Sequence, residues 1–219
     1  MVNVAIDGPA GAGKSTIAKA AAKRLGYIYV DTGALYRAIA LHAVRNNVLN
    51  DNAKLEKILE NTSVSLAFDE SGSQCVLLNG EDVSSLIRTP EISMGASKVS
   101  GVPAVRAFLL ALQRDIAKNN NVIMDGRDIG SVVLPDADVK IFLTASPQCR
   151  AERRYKEHIE KGDKVTFEEV LADVNKRDYQ DSHREIAPMK PCEDSVMADT
   201  TGNTLDESVE MIIKIIKGE

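Results

Sequence analysis

The sequence predicts an α/β fold of three layers: a five-stranded parallel sheet between helices, with a small antiparallel β region inserted into it. Three observations predict it. Short apolar runs alternate with segments of helical periodicity over most of the 219 residues. A glycine-rich loop, Gly8-Pro9-Ala10-Gly11-Ala12-Gly13-Lys14-Ser15, joins the first apolar run to the first helical segment. Between roughly residues 60 and 88 the pattern changes to period two, with turn residues between the runs.

Taken in order, Val2–Ile6 is a β-branched run and predicts the first strand, and Ile17, Ala21 and Leu25 give the following helix its buried stripe. The loop between them matches G-x-x-x-x-G-K-[ST] without a mismatch, in the strand–loop–helix context that the pattern requires. Glycines let the backbone turn tightly, aim N–H groups inward and approach an anion closely. The helix start adds partial positive charge and Lys14 a full one, while the Ser15 hydroxyl suits Mg²⁺. These features indicate a nucleoside-triphosphate site in a P-loop NTPase-type fold.

A second strand is expected at Gly26–Val30, and Asp31 or Thr32 can cap the helix that follows, with Leu35, Ile39 and Ala43 inward. Ligands of parallel sheets bind beyond the carboxyl ends of the strands, which predicts Thr32, Tyr36 and Arg37 on the edge that carries the phosphate loop. Arg37 reads equally as a solvated helix residue and Tyr36 as a core aromatic. A short helix around Leu55, Ile58 and Leu59 precedes Val64–Phe68; Asp69–Ser73 has turn chemistry, and Cys75–Leu78 runs into an Asn79-Gly80 turn. This hairpin region is expected as an insert of roughly 60–88 in a single P-loop unit of 1–219, whose core is 1–59 and 89–219.

Thr89-Pro90 starts a helix that carries Ser97 and Lys98 near its end and is broken at Gly101-Val102-Pro103. The next helix faces inward with Val105, Leu109, Leu112 and Ile116; Arg106 flanks that stripe, where a charged side chain most often snorkels to water. Asn121–Asp125 is an apolar strand ending in a carboxylate suited to Mg²⁺ or its waters, and it continues into Gly126-Arg127-Asp128. Val139–Leu143 is the fourth strand, followed by a helix with Arg150, Arg153 and Arg154. Tyr155–Thr166 is charged and glycine-containing, which suggests a mobile lid over roughly 153–168. On a helix continuing from Val165–Val174, Arg177, Asp181 and Arg184 share a face that reads either as a salt-bridge ladder or as a cation row aimed at phosphates. Ser195–Asp199 is the fifth strand, and Leu205, Val209, Ile212, Ile213 and Ile216 line the closing helix.

Composition narrows the function classes. A net charge of −5 argues against a broad nucleic-acid surface, so positive charge must be local. Cys75, Cys149 and Cys192 are odd in number and lack metal-ligand spacing, so neither a disulfide framework nor a zinc site is indicated. No apolar run spans a bilayer and the first strand starts at once, so a cytoplasmic location is expected. No membrane or nucleic-acid partner is expected, and the chain is taken as a monomer. Phosphoryl transfer needs positioning, water exclusion and cations on the migrating group, and the arginines suit it. A switch GTPase is the competing class; it should show a guanine-reading N-K-x-D stretch, which this chain is expected to lack.

Gly8–Thr16, Asp31–Arg37, Asn79–Val83, Asp125–Gly130 and Arg177-Asp178 through Arg184–Pro188 together resemble bacterial cytidylate kinases of the nucleoside monophosphate kinase family, over nearly the whole chain. The resemblance implies transfer of the γ-phosphate of ATP to CMP or dCMP with Mg²⁺, in pyrimidine nucleotide metabolism. It implies that Gly8 to Thr16 hold ATP, that Ser15 and Asp125 hold the metal, and that Lys14, Arg127, Arg153 and Arg154 act on the phosphates. Ser97, Arg106, Asp128 and Arg184 would meet the cytosine, Arg177 and Asp181 the ribose, and Thr32, Arg37 and Arg127 the acceptor phosphate, with Tyr36 packing nearby. Thr32 departs from the family, which often has serine there.

Overall fold

The computed structural model describes residues 1–68, 74–160 and 162–219. The turn expected at Asp69–Ser73 therefore lies outside the described residues. Chain contacts divide into two compact units: a core unit of Val2–Tyr29 and Asn121–Glu219, and an inserted unit of Val30–Asn120, with Met1 grouped alongside the latter.

In chain order the elements are β1 (Asn3–Asp7), α1 (Lys14–Leu25), β2 (Ile28–Asp31), α2 (Thr32–Arg45), α3 (Asn52–Leu59), β3 (Val64–Phe68), β4 (Gln74–Leu78), β5 (Glu81–Asp82), α4 (Pro90–Val99), α5 (Pro103–Asn119), β6 (Val122–Gly126), β7 (Val139–Thr144), α6 (Pro147–Glu160), α7 (Phe167–His183), β8 (Val196–Asp199) and α8 (Leu205–Lys217). The main sheet has the order β2-β6-β1-β7-β8, and β1 pairs in parallel with both β6 and β7. This is the doubly wound arrangement that the alternation predicts, with the first strand central.

In the core unit, β1 and β6 are buried on both faces, as apolar strands under two helical layers must be. Val4, Ile6, Ile123, Ile141 and Leu143 pack against Ile17, Ala18 and Ala21 of α1 and against Val209, Ile212 and Ile213 of α8. Leu205, expected on that stripe, is 51% exposed: it opens α8 directly after the Thr204 cap, before the helix turns its face to the sheet. The segment expected as a lid is helical through Glu160. Its Tyr155 meets Phe167 edge-on at 6.2 Å, and Ala151, Val170 and Val174 complete a small apolar cluster between α6 and α7. Thr166 caps α7 in a reciprocal capping box with Glu169, so Val165 lies outside the helix. The helix also ends at His183, and Arg184 is extended, so it does not continue the face of Arg177 and Asp181. A five-residue π-turn, Ile129–Val133, follows β6 and has no periodic signal in the sequence.

In the inserted unit, β3 and β4 pair antiparallel, and β4 pairs with β5 across Asn79-Gly80, both at positive φ as a tight hairpin requires. The hairpin shares one core with α2, α4 and α5, where Leu35, Ile39, Leu55, Leu78, Ile87, Val105 and Leu109 are fully covered. The expected segment 60–88 thus sits inside a larger compact unit, because Val76 and Leu78, paired across the hairpin with Leu66 and Val64, bury against the helices. Asp31 caps α2 and Thr89 caps α4, with Pro90 opening the latter.

Candidate active site

In the core unit the phosphate loop is built by backbone constraint. Gly8 has φ +145°, and a Cβ there would lie 2.0 Å from the Leu143 carbonyl oxygen, so only glycine fits. Gly13 ends the loop in the left-handed conformation and hands over to α1, which has no acidic residue in its first turn. The helix start therefore keeps its partial positive charge for an anion. Lys14 is buried and its Nζ donates to the Pro9 carbonyl at 2.8 Å. Burial first, and Arg127 second, pull its ammonium down to about 7, against the opposing charges of Asp125, Asp7 and Asp181. A phosphate would supply the missing counter-charge.

The Ser15 hydroxyl donates to Asp125 Oδ2 at 2.8 Å, and the Tyr29 hydroxyl donates to Oδ1 of the same carboxylate at 3.0 Å. Asp125 is buried at the carboxyl end of β6. A hydroxyl and a carboxylate within hydrogen-bond reach form the hard-oxygen pair that Mg²⁺ takes when phosphates and water complete its shell, so the residues fit that ion.

Next along the chain, Arg127 Nε donates to Asp181 Oδ2 at 2.8 Å, and Arg184 donates to Asp128 Oδ1 at 2.9 Å while its Nε donates to the Ala187 carbonyl at 2.6 Å. Arg177 has a buried Nε with no partner among the described residues. Burial, then Arg127 and Arg154, lower its guanidinium to about 10. Asp181 and Asp128 are thus engaged by Arg127 and Arg184, while Arg177 keeps a buried Nε without a partner among the described residues. Arg153 donates to the carbonyls of Ala12 (3.2 Å) and Thr200 (3.0 Å). The Arg154 side chain packs beside Gly11.

In the inserted unit, Asp31 accepts from the Ala34 N–H at 2.9 Å and from Arg37 at 2.8 Å, with Arg88 at 3.6 Å. A Cβ at Gly33 would crowd both partners, at 3.2 Å from Asp31 and 3.3 Å from Arg37. Arg37 Nε is buried and unpartnered among the described residues, and Thr32 is buried at the first position of α2. Arg106 does not snorkel. It is buried, 5.9 Å above the Tyr36 ring, and donates to the Ser100 carbonyl. Ser97 is half-buried on α4, and its carbonyl accepts from Ser100.

Three residues stand out here that sequence reasoning passed over. Asp7 is a buried carboxylate that accepts from the N–H groups of Ile129 and Gly130; its signal was an acid closing an otherwise apolar strand. Asp31 is the counter-ion of Arg37 as well as the cap that the sequence predicts. Arg150 is buried and donates to the carbonyls of Ala10 (3.0 Å) and Ala145 (2.9 Å) and to both oxygens of Asp178 (3.1 and 2.5 Å), so it ties the loop to α7. One expectation is corrected by the letters themselves: Asn175-Lys176-Arg177-Asp178 does spell N-K-x-D. It lies inside α7 with its acid held by Arg150, which leaves that carboxylate engaged and the backbone helical, unlike a guanine-reading loop.

The chain matches the family model described as cytidylate kinase over residues 4–218. It is 49% identical over 215 residues to a cytidylate kinase of Caldicellulosiruptor saccharolyticus, covering 98% of this chain and 95% of the relative. It is likewise 49% identical over 218 residues to a cytidylate kinase of Lactobacillus johnsonii, covering 99% of this chain and 94% of the relative. Among solved structures, an uncharacterized protein from Eubacterium ventriosum aligns with a TM-score of 0.56 at 16% identity, covering 100% of this chain and 99% of that one, which speaks to the fold alone.

Proposed function

The chain belongs to the cytidylate kinase family, and from that premise we propose that it transfers the γ-phosphate of ATP to CMP or dCMP, releasing CDP or dCDP and ADP. The observation that carries the reading is the family match across residues 4–218, which takes in the phosphate loop and the Asp125–Asp128 stretch together.

On this reading Gly8 to Thr16 hold the ATP phosphates through loop amides and the start of α1, with Lys14 leaving the Pro9 carbonyl for a phosphate oxygen. Ser15 and Asp125 would hold Mg²⁺, which would supply positive charge against that of the phosphates. Arg127, Arg153 and Arg154 would act on the migrating group. Charged hydrogen bonds contribute about 1.5–3 kcal/mol each, so several that strengthen together supply many powers of ten in rate. Thr32 and Arg37 would take the acceptor phosphate with Arg127, and Tyr36 would pack nearby. The unpartnered Nε of Arg37 supports that role, because a buried donor without an acceptor awaits one.

Arg177 and Asp181 would meet the ribose, and Ser97, Arg106, Asp128 and Arg184 the base. A carboxylate accepts from the exocyclic amine of cytosine and repels the carbonyl that uracil has in its place, so Asp128 suits the choice of CMP over UMP. The segment 153–168 would close over ATP and exclude water. The enzyme would act as a monomer in the cytoplasm, where its nucleotide substrates are. The test is a panel of CMP, dCMP, UMP and AMP with ATP and Mg²⁺. CMP and dCMP should be the best acceptors, and a better rate with UMP or AMP refutes the proposal.

A further inference from the structure

Asp7 closes β1 one residue before the phosphate loop and is 5% exposed. Its two carboxylate oxygens accept from successive backbone N–H groups, Oδ1 from Ile129 and Oδ2 from Gly130, both at 2.8 Å. These are the first two residues of the π-turn, and Asp128 stands directly before them as its cap. A carboxylate that takes two adjacent amides sets the tilt of the peptide plane as well as its position. The turn has little room to drift. A Cβ at Gly130 would sit 3.1 Å from Lys140 Cδ and 3.4 Å from Cys192 Sγ, so the backbone is closely walled there. Immediately upstream, the Asp128 side chain faces Arg184 at 2.9 Å.

We propose that Asp7 is a positioning residue for acceptor-base selection, holding Asp128 and its partner Arg184 in place through the Ile129 and Gly130 amides. The inference rests on the reading above that Asp128 meets the acceptor's base. It assigns the strand end a second role: the same residue that leads into the phosphate loop anchors the turn that carries Asp128.

Asp7→Asn tests it. Asparagine offers one acceptor oxygen and turns an N–H₂ group toward the second amide, donor against donor, so one buried N–H loses its partner and the turn must tilt. The Michaelis constant for CMP should rise about tenfold and the preference for CMP over UMP should fall by a similar factor, the size expected for one charge-assisted hydrogen bond. The constant for ATP should rise less than that for CMP, by no more than the loss of the Asp7 charge beside Lys14 accounts for. A merely structural Asp7 would lower the melting temperature and the active fraction but leave the preference intact. An unchanged preference in folded Asp7→Asn, or an equal rise in both constants, overturns the inference. Asp128→Ala separates the two layers. If that variant still prefers CMP, the reading of Asp128 fails. If it loses the preference while Asp7→Asn keeps it, the Asp7 inference alone fails. In the double variant the preference should fall no further than in Asp128→Ala. Should Asp7→Asn not fold, Asp7→Glu keeps the charge but displaces the turn by one methylene; a folded Asp7→Glu protein with wild-type preference equally overturns the inference.

Discussion

At the scale of single residues, the carboxylates around the phosphate loop differ in what their surroundings do to them. Burial raises Asp7 to about 6, helped by the like charge of Asp128, while the amides of Ile129 and Gly130 and the charge of Lys14 oppose it. The unfolded chain binds that proton only near 3.8, so between these values the folded state holds more protons. Stability contributed by Asp7 therefore falls as pH rises through that window, by up to about 3 kcal/mol. Other carboxylates have their own slopes, so the informative quantity is the difference between wild type and Asp7→Asn. Thermal melts of both at pH 4.5 and 6.5 should show the wild type losing ground to the variant at the higher pH; a constant difference would contradict the burial argument. For Asp128 the expected loss is kinetic. Asp128→Ala removes the partner of Arg184 and, on the proposed reading, the acceptor for the cytosine amine. CMP turnover per Michaelis constant should fall on the order of 100-fold, about two charge-assisted hydrogen bonds, with nucleotide-triphosphate binding held within a few-fold. Equal losses for both substrates would make Asp128 structural.

At the scale of elements, local chemistry decides which parts are robust. Thr89 accepts from the Ile92 N–H at 3.2 Å and sets the start of the helix that carries Ser97. Thr89→Ala should cost about 1 kcal/mol, read as a fall in melting temperature of roughly 2–4 °C for a chain of this size. Arg150 is a different case, because a buried guanidinium satisfies two loop carbonyls and one carboxylate at once. Arg150→Met leaves all three unpaired and should cost several kcal/mol, whereas Asp178→Asn keeps an acceptor and should cost less. Melts of the two variants, with ATP binding measured on each, check the order; a milder Arg150→Met would remove its role as the tie. The elements themselves were legible wherever one local rule dominated: the phosphate loop, the Asp31 and Thr89 caps, and the Asn79-Gly80 turn all arise from contacts within a few residues. The misread parts depend on partners far away in the chain. Arg106 reads as snorkelling until Tyr36 lies beneath it. Asp7 is more than a hundred residues from the amides it holds, and no periodicity announces that pairing.

At the scale of the whole molecule, charge is arranged against stability and in favour of anions. The chain carries a net charge of −5, yet the core unit brings Arg127 and Arg154 close enough to Arg177 to depress its guanidinium, and Arg127 close enough to Lys14 to depress its ammonium. The inserted unit keeps its own buried guanidinium atom unpartnered at Arg37. Buried like charges and orphaned donors cost folding free energy, and a bound polyanion would offset both. Binding to the folded state alone at a hundred times the dissociation constant adds about 2.7 kcal/mol, which for this length corresponds to roughly 5–11 °C in melting temperature. CMP should produce a shift of that size at saturation, and UMP a smaller one at equal concentration. Arg177→Met discriminates between a residue retained for the ligand and one retained for the fold. Removing a cation that is repelled by its neighbours should leave the unliganded melting temperature unchanged or raise it, while the shift given by CMP shrinks. A variant that melts lower than wild type and keeps the full CMP shift would show that Arg177 serves the fold, and would withdraw the ribose contact assigned to it.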